Sequence, residues 1–171
     1  MINLKMSVLI FIFMLLSPIV TQAEIPSDKQ AKLYINADQA NLNKSTGISI
    51  FTGHVVLDHG STHVTCDKLT TYSDKAGKLN KAIAESLTDQ LATYETMTDI
   101  DKPPLQAKAK RIEYYPDRHY VILLQHAYVV QGQNSIIGEH LEYDIKNQLL
   151  ITKPADNSPN ARTQIIIQPP Q

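Results

Sequence analysis

The chain has 171 residues, a formal net charge of −1 from 16 Lys and Arg against 17 Asp and Glu, a single cysteine and no tryptophan. That balance excludes a polybasic nucleic-acid surface and a basic helix lying on a membrane. With Cys66 alone there is no internal disulfide, so burial and backbone pairing must hold an exported fold together.

Read from the start, Lys5 precedes an uncharged apolar run, Ser7 to Val20, and then the small-residue stretch Thr21-Gln22-Ala23. This is the pattern of a secretory signal peptide cleaved after Ala23. The run is shorter than the ~20 apolar residues of a membrane span, and no cysteine near the cut offers a lipid anchor. Residues 1–23 are therefore expected to be removed, and 24–171 to form one domain with a net charge of −2 once Lys5 is lost.

Leu33, Ile35 and Ala37 alternate with polar residues, which predicts a strand. A longer extended run follows from Ile48 to Leu57, bent at Gly53, with Phe51, Val55 and Leu57 on one face. Asp58-His59-Gly60-Ser61 predicts a turn. Thr62, Val64 and Cys66 alternate next, but after Asp67 the apolar parity changes to Leu69 and Thr71. A parity change without a turn predicts a β-bulge or a corner. Ser73-Asp74-Lys75-Ala76-Gly77 predicts a hairpin loop, and Lys78 to Thr98 is read as two strands.

Asp101-Lys102-Pro103-Pro104 interrupts pairing. Strands are then predicted around Leu105–Ala109, around Ile112–Tyr114 and over Tyr120–Val130, with a turn at Pro116-Asp117. After a turn at Gln131–Asn134 come Ile136, Leu141, Tyr143 and Ile145, then Leu149–Ile151. A loop over Lys153–Asn160 and a last strand, Thr163 to Ile167, complete the chain before Pro169-Pro170.

One block occurs twice. Phe51-Thr52-Gly53-His54-Val55-Val56-Leu57 recurs as Leu123-Leu124-Gln125-His126-Ala127-Tyr128-Val129, and His126 lies 72 positions after His54 (126 minus 54). The register holds from Ala37/Ala109 to Leu69/Leu141, so residues 33–72 and 105–144 read as two copies of one β unit. Such a unit cannot bury its apolar face alone, so the copies should stack into one continuous β structure. Many short strands separated by turns predict an all-β jelly roll, sandwich or barrel.

His54, His59 and His63 are close in sequence, but no acidic or cysteine partner has the spacing of a metal motif. They read as exposed strand and turn histidines, and His126 repeats His54 on an outward face. Cys66 reads as a small buried hydrophobe. No nucleophile elbow, phosphate loop or HExxH pattern occurs, so neither a catalytic site nor a cofactor is expected.

Phe51-Thr52-Gly53-His54-Val55, preceded by Ile35-Asn36-Ala37-Asp38-Gln39-Ala40, resembles the LptA/OstA family. The resemblance continues through Ala92-Thr93-Tyr94, Lys102-Pro103, Ala127-Tyr128 and Asn134–Glu139 to Thr163–Ile167. It departs at Gln125, where the family often has Gly. The resemblance implies a twisted, open-ended antiparallel β-jelly roll that carries lipopolysaccharide, through lipid A, across the periplasm to the outer membrane. It further implies head-to-tail self-association, with LptC at the inner-membrane end and LptD at the outer-membrane end. The expected groove lining is Ile35, Phe51, Val55, Leu57, Tyr94, Leu123, Ala127, Val129, Ile136 and Tyr143. The expected assembly edges are Leu33, Ile35 and Ala37 at one end and Thr163, Ile165 and Ile167 at the other. Two alternatives are an LptC-like acceptor tethered by an uncleaved N-terminus and a secreted carbohydrate-binding jelly roll.

Overall fold

A computed structural model describes residues 31–154 and 162–169. The expected signal peptide, most of the loop read over Lys153–Asn160, and Pro170 lie outside the described residues. Among the described residues twelve strands run β1 (Leu33–Asn36), β2 (Gln39–Asn43), β3 (Ile48–His59), β4 (Thr62–Ser73), β5 (Leu79–Glu85) and β6 (Ala92–Thr96). They continue as β7 (Leu105–Ala109), β8 (Arg111–Tyr115), β9 (Tyr120–Gln131), β10 (Asn134–Asp144), β11 (Leu149–Lys153) and β12 (Gln164–Ile166). All pairs are antiparallel. The turn expected at Pro116-Asp117 is a short 3-10 segment, Pro116–Arg118. β2 was not expected: Gln39-Ala40-Asn41-Leu42-Asn43 is exposed along its length, so it carries no buried face and no apolar alternation to read.

The pairings resolve into two layers that share four bent strands. One layer runs β2, the first part of β3, the second part of β4, β5, β8, the first part of β9, the second part of β10, and β11. The other runs β1, the second part of β3, the first part of β4, β6, β7, the second part of β9, the first part of β10, and β12. The alternating apolar residues of both layers meet in one core, from Phe51, Val55 and Leu57 through Tyr94 and Ala107 to Leu123, Leu141 and Tyr143. Each fully buried Leu there contributes about 2 kcal/mol by leaving water.

The corners lie where the parity change was read. Thr52 pairs with Lys68 and Val55 with Cys66, so β3 sets Gly53 and His54 against the single residue Asp67. This bulge lets one strand serve both layers. It recurs in β9, where Leu124 pairs with His140 and Ala127 with Gly138, setting Gln125 and His126 against Glu139. All four bulge residues have positive φ: 79° and 45° in the first copy, 65° and 54° in the second. Gln125 thus keeps the bend that Gly53 makes, at the cost of a left-handed side-chain-bearing residue.

The crossings between layers repeat as well. Asp38 N–H donates to the Gly53 carbonyl at 3.0 Å, and Lys110 N–H donates to the Gln125 carbonyl at 2.9 Å. The side chains differ in a way that explains the departure at 125. A Cβ on Gly53 would lie 2.2 Å from Asp38 Oδ2. Lys110 instead turns its Nζ to the Thr88 carbonyl.

Candidate functional site

The ten expected lining residues come together at the interface of the two layers. Phe51, Val55, Leu57, Tyr94, Leu123, Ala127, Val129 and Tyr143 are buried in the core, and Ile35 and Ile136 pack against it half-buried. Leu57 and Ala127 are 0% exposed, so in this conformation water does not reach them. Small side chains line the middle of the interior: Ala82, Ala84, Ala92, Ala107 and Ala109, drawn from β5, β6 and β7. Tyr94 and Tyr114 meet across this zone with ring centroids 5.9 Å apart, and His59 meets Tyr114 edge-on at 6.5 Å.

The two ends differ from the middle. β1 and β2 pair only with β3, and β11 and β12 pair only with β10, among the described residues. Each layer therefore ends in a strand with one side unpaired. The expected edge residues lie there: Leu33, Ile35 and Ala37 on or beside β1, and Thr163, Ile165 and Ile167 on or beside β12. Of the twelve large apolar side chains left exposed among the described residues, eight are at these ends: Leu33, Tyr34, Leu42, Leu149, Ile151, Ile165, Ile166 and Ile167. Apolar residues concentrated on unpaired edges are the arrangement that invites another strand.

The histidines do not form a cluster. His54 is exposed and pairs with Asp38 at 2.8 Å, a hydrogen bond that raises its pKa above the ordinary 6.5. His63 pairs with Asp58 at 2.6 Å. His59 corrects the expectation of an exposed turn residue: it is buried, because β3 extends to it and aims its ring at Tyr114. Its Nδ1 has no hydrogen-bond partner among the described residues. Cys66 is half-buried, and burial pushes its thiol up to about 12, which suits packing and not reactivity.

Sequence reasoning missed the ionic cluster that ties the two repeats together on the outer face. Arg111 of β8 bonds Glu85 of β5 at 2.7 Å and Glu113 at 2.8 Å, while Lys81 of β5 bonds Glu113 at 2.7 Å. Tyr115 donates its hydroxyl to Glu113 at 2.7 Å. Burial pushes the Glu113 carboxyl up, but the bonds from Lys81, Tyr115 and Arg111 outweigh it and hold the pKa at about 2. A weak signal was present: Lys81 with Glu85, and Arg111 with Glu113, occupy the polar positions of alternating strands. Their pairing in space depends on β5 meeting β8, which no local pattern reports. A similar group closes the C-terminal end, where Glu142 accepts from Tyr120, His140 and Lys153.

A family model described as LptA/(LptD N-terminal domain) LPS transport protein matches residues 34–149. The lipopolysaccharide export system protein LptH of Pseudomonas aeruginosa is 30% identical over 149 residues, covering 85% of this chain and 83% of that protein. LptA of Escherichia coli strain K12 is 26% identical over 124 residues, covering 72% of this chain and 65% of its own length. The crystal structure of LptH, described as the LptA-homologous periplasmic component of the lipopolysaccharide transport device of Pseudomonas aeruginosa, superposes with a TM-score of 0.76. That match covers 84% of this chain and 100% of the LptH chain in the crystal, at 30% identity. The same bent-strand β-jelly roll and the family match over residues 34–149 place this chain in the LptA/LptD N-terminal domain family of lipopolysaccharide transport proteins.

Proposed function

We propose that this chain is a non-enzymatic carrier that binds lipopolysaccharide by its acyl chains and passes it across the periplasm, as one subunit of a head-to-tail bridge. The observation that supports this most is a continuous aliphatic interior bounded at both ends by unpaired, apolar strand edges. Each CH₂ exposed to water costs ~0.8 kcal/mol, so one acyl chain of about a dozen carbons faces roughly 10 kcal/mol in crossing an aqueous compartment. An interior of Leu, Val, Ile and Ala offsets that cost without a directional bond that would pin the lipid at one point. The residues at its centre are closed to water, so the two layers part to admit an acyl chain, which then packs against both inner faces in place of the opposite layer.

The relatives named as lipopolysaccharide export proteins support the same reading. In it, residues 1–23 are removed on export, LptC meets the inner-membrane end of the bridge and LptD the outer-membrane end. N-terminal sequencing of the exported protein checks the first point: Glu24 as first residue supports it, and retained Met1 or Ile2 favours a tethered acceptor.

The test of the reading is a competition experiment. Purified protein is loaded with radiolabelled lipopolysaccharide and challenged with intact lipopolysaccharide or with its delipidated core oligosaccharide. Displacement by the intact molecule alone supports recognition of acyl chains. Displacement by the oligosaccharide would replace it with a carbohydrate-binding function.

A further inference from the structure

The two layers are joined along one side of the molecule and open along the other. The bulges of β3 and β9 lie on the joined side, together with the crossings from β1 to β2, β5 to β6 and β7 to β8. On the opposite side each layer ends in loops, and no strand passes between the layers there among the described residues. One lip of this opening is formed by residues 44–47, 74–78, 116–119 and 145–148, and the other by residues 60–61, 97–104 and 132–133. His59 meets Tyr114 across the gap, and Lys102 Nζ donates across it to Gln148 at 2.7 Å.

The lips differ in charge. The first carries Lys44, Lys75, Lys78, Arg118 and Lys146 against Asp74 and Asp117, while the second carries Lys102 against Asp99 and Asp101. Both carboxylates of the first lip are committed. Asp74 accepts the N–H groups of Ala76 and Lys78 at 2.8 and 2.9 Å, which sets the hairpin, and Asp117 holds Lys78 at 2.6 Å. Lys75 and Arg118 are exposed and hold no carboxylate among the described residues. The bond from Lys78 to Asp117 brings the β4–β5 hairpin beside Arg118. Arg118 and Lys81 stand 5.7 and 5.0 Å from the centre of the Tyr115 ring, but Lys81 is taken by Glu113 in the seam where β5 meets β8.

The hairpin itself is an addition of the first repeat. Thr70 and Glu142 are corresponding positions, yet Ile83 pairs with Thr70 from 13 positions away and Ile151 with Glu142 from 9 (83 minus 70 and 151 minus 142). The longer loop carries Lys75 and Lys78. Tyr114 connects this lip to the interior: its ring is buried against Tyr94 and His59, while the next residue, Tyr115, turns outward between Lys81 and Arg118. One step along β8 thus leads from the apolar interior to the cationic lip.

We propose that this lip, centred on Lys75 and Arg118 with Lys78 beside them, binds the phosphate-bearing sugar head of the lipid whose acyl chains occupy the interior. The proposal rests on the carrier reading and adds where the head sits and which group recognises it. A phosphate drawn inside would lose its water against aliphatic and aromatic walls that offer it no cation. The head therefore leaves by the open side, where only one lip has an excess of cations. Arg118 can meet a phosphate with two parallel N–H bonds, and Lys75 adds a mobile point charge. Asp117, the nearest carboxylate, is already neutralised by Lys78.

The test is displacement of radiolabelled lipopolysaccharide by lipid A bearing its phosphates or by the same lipid A with them removed. Wild type should prefer the phosphorylated lipid by about three- to tenfold near 0.05 M salt and by less than about twofold near 0.5 M. Lys75→Gln with Arg118→Gln should bind both lipids as wild type binds the dephosphorylated one, and Lys75→Arg with Arg118→Lys should keep the preference. Lys44→Gln with Lys146→Gln, an equal loss of charge on the other hairpins of the same lip, should keep most of it. Urea unfolding checks each variant, and where the first pair proves unstable Arg118→Gln alone should lose about two- to threefold of the preference. Inorganic phosphate alone, followed by its phosphorus NMR signal, should not saturate wild type below about 10 mM; saturation there would assign the lip to a free anion and overturn the inference. No preference in wild type, a preference that survives the loss of Lys75 and Arg118, or one lost equally in the Lys44 and Lys146 control also overturns it, and leaves the carrier reading standing. Failure of both lipids to displace lipopolysaccharide overturns both.

Discussion

The bulge in β3 makes a quantitative prediction about Gly53. Its φ of 79° costs a side-chain-bearing residue roughly 1–2 kcal/mol. An added Cβ would also stand 2.2 Å from Asp38 Oδ2 and 2.8 Å from Asp38 Cβ, so that side chain must move and its bond to His54 must break. The bond is between two exposed groups and is worth ~1 kcal/mol at most. Gly53→Ala should therefore lower stability by about 2–3 kcal/mol in urea unfolding at unchanged slope. Adding Asp38→Ala removes the clash but also the bond to His54, and it leaves the left-handed backbone, so the double variant should stay about 2–3 kcal/mol below wild type, no lower than Gly53→Ala alone. Gln125, already at a φ of 65°, gives the reverse case: Gln125→Gly should stabilise by up to about 1 kcal/mol. A Gly53→Ala variant within about 0.5 kcal/mol of wild type, or a destabilised Gln125→Gly, would refute the claim that these paired bulges set the corners.

Glu113 sets the acid response. Its folded pKa of about 2 lies below the ordinary 4.5, so its contribution is complete above that value and is lost as pH falls toward 2. The shift corresponds to about 3 kcal/mol, and Glu113→Gln should flatten the urea-unfolding profile between pH 5 and 2; an unchanged profile would show that the seam cluster contributes nothing. Leu123→Ala removes a side chain that is 1% exposed and should cost about 2–5 kcal/mol, read from the same unfolding curve. Ile165→Asp places a charge on a side chain that is 55% exposed in the isolated chain. It should leave the unfolding midpoint nearly unchanged while weakening self-association about tenfold or more, measured by sedimentation.

Alternation was legible wherever one face of a strand is buried. Leu105-Gln106-Ala107-Lys108-Ala109 alternates strictly between buried and exposed, and its sequence reads the same way. The corner was legible because Cys66 and Leu69 both point inward although three positions separate them. β2 was invisible because none of its five residues is buried. The seam cluster was invisible for another reason: Glu85 and Arg111 are 26 positions apart, and only the meeting of β5 and β8 brings them together. The buried position of His59 depends on the opposing Tyr114 ring, which belongs to the other repeat. Periodicity also did not show that strands bent at bulges belong to two layers at once, and that is what leaves two edges open at each end.

The central claim is that fatty chains travel between the two layers. A photoreactive residue placed at Leu57 or Leu123, inside, and at His54, outside, tests it in living cells. Capture of lipopolysaccharide at both inner positions and little at His54 is the predicted pattern. Equal capture at all three, or capture at His54 alone, would contradict the account.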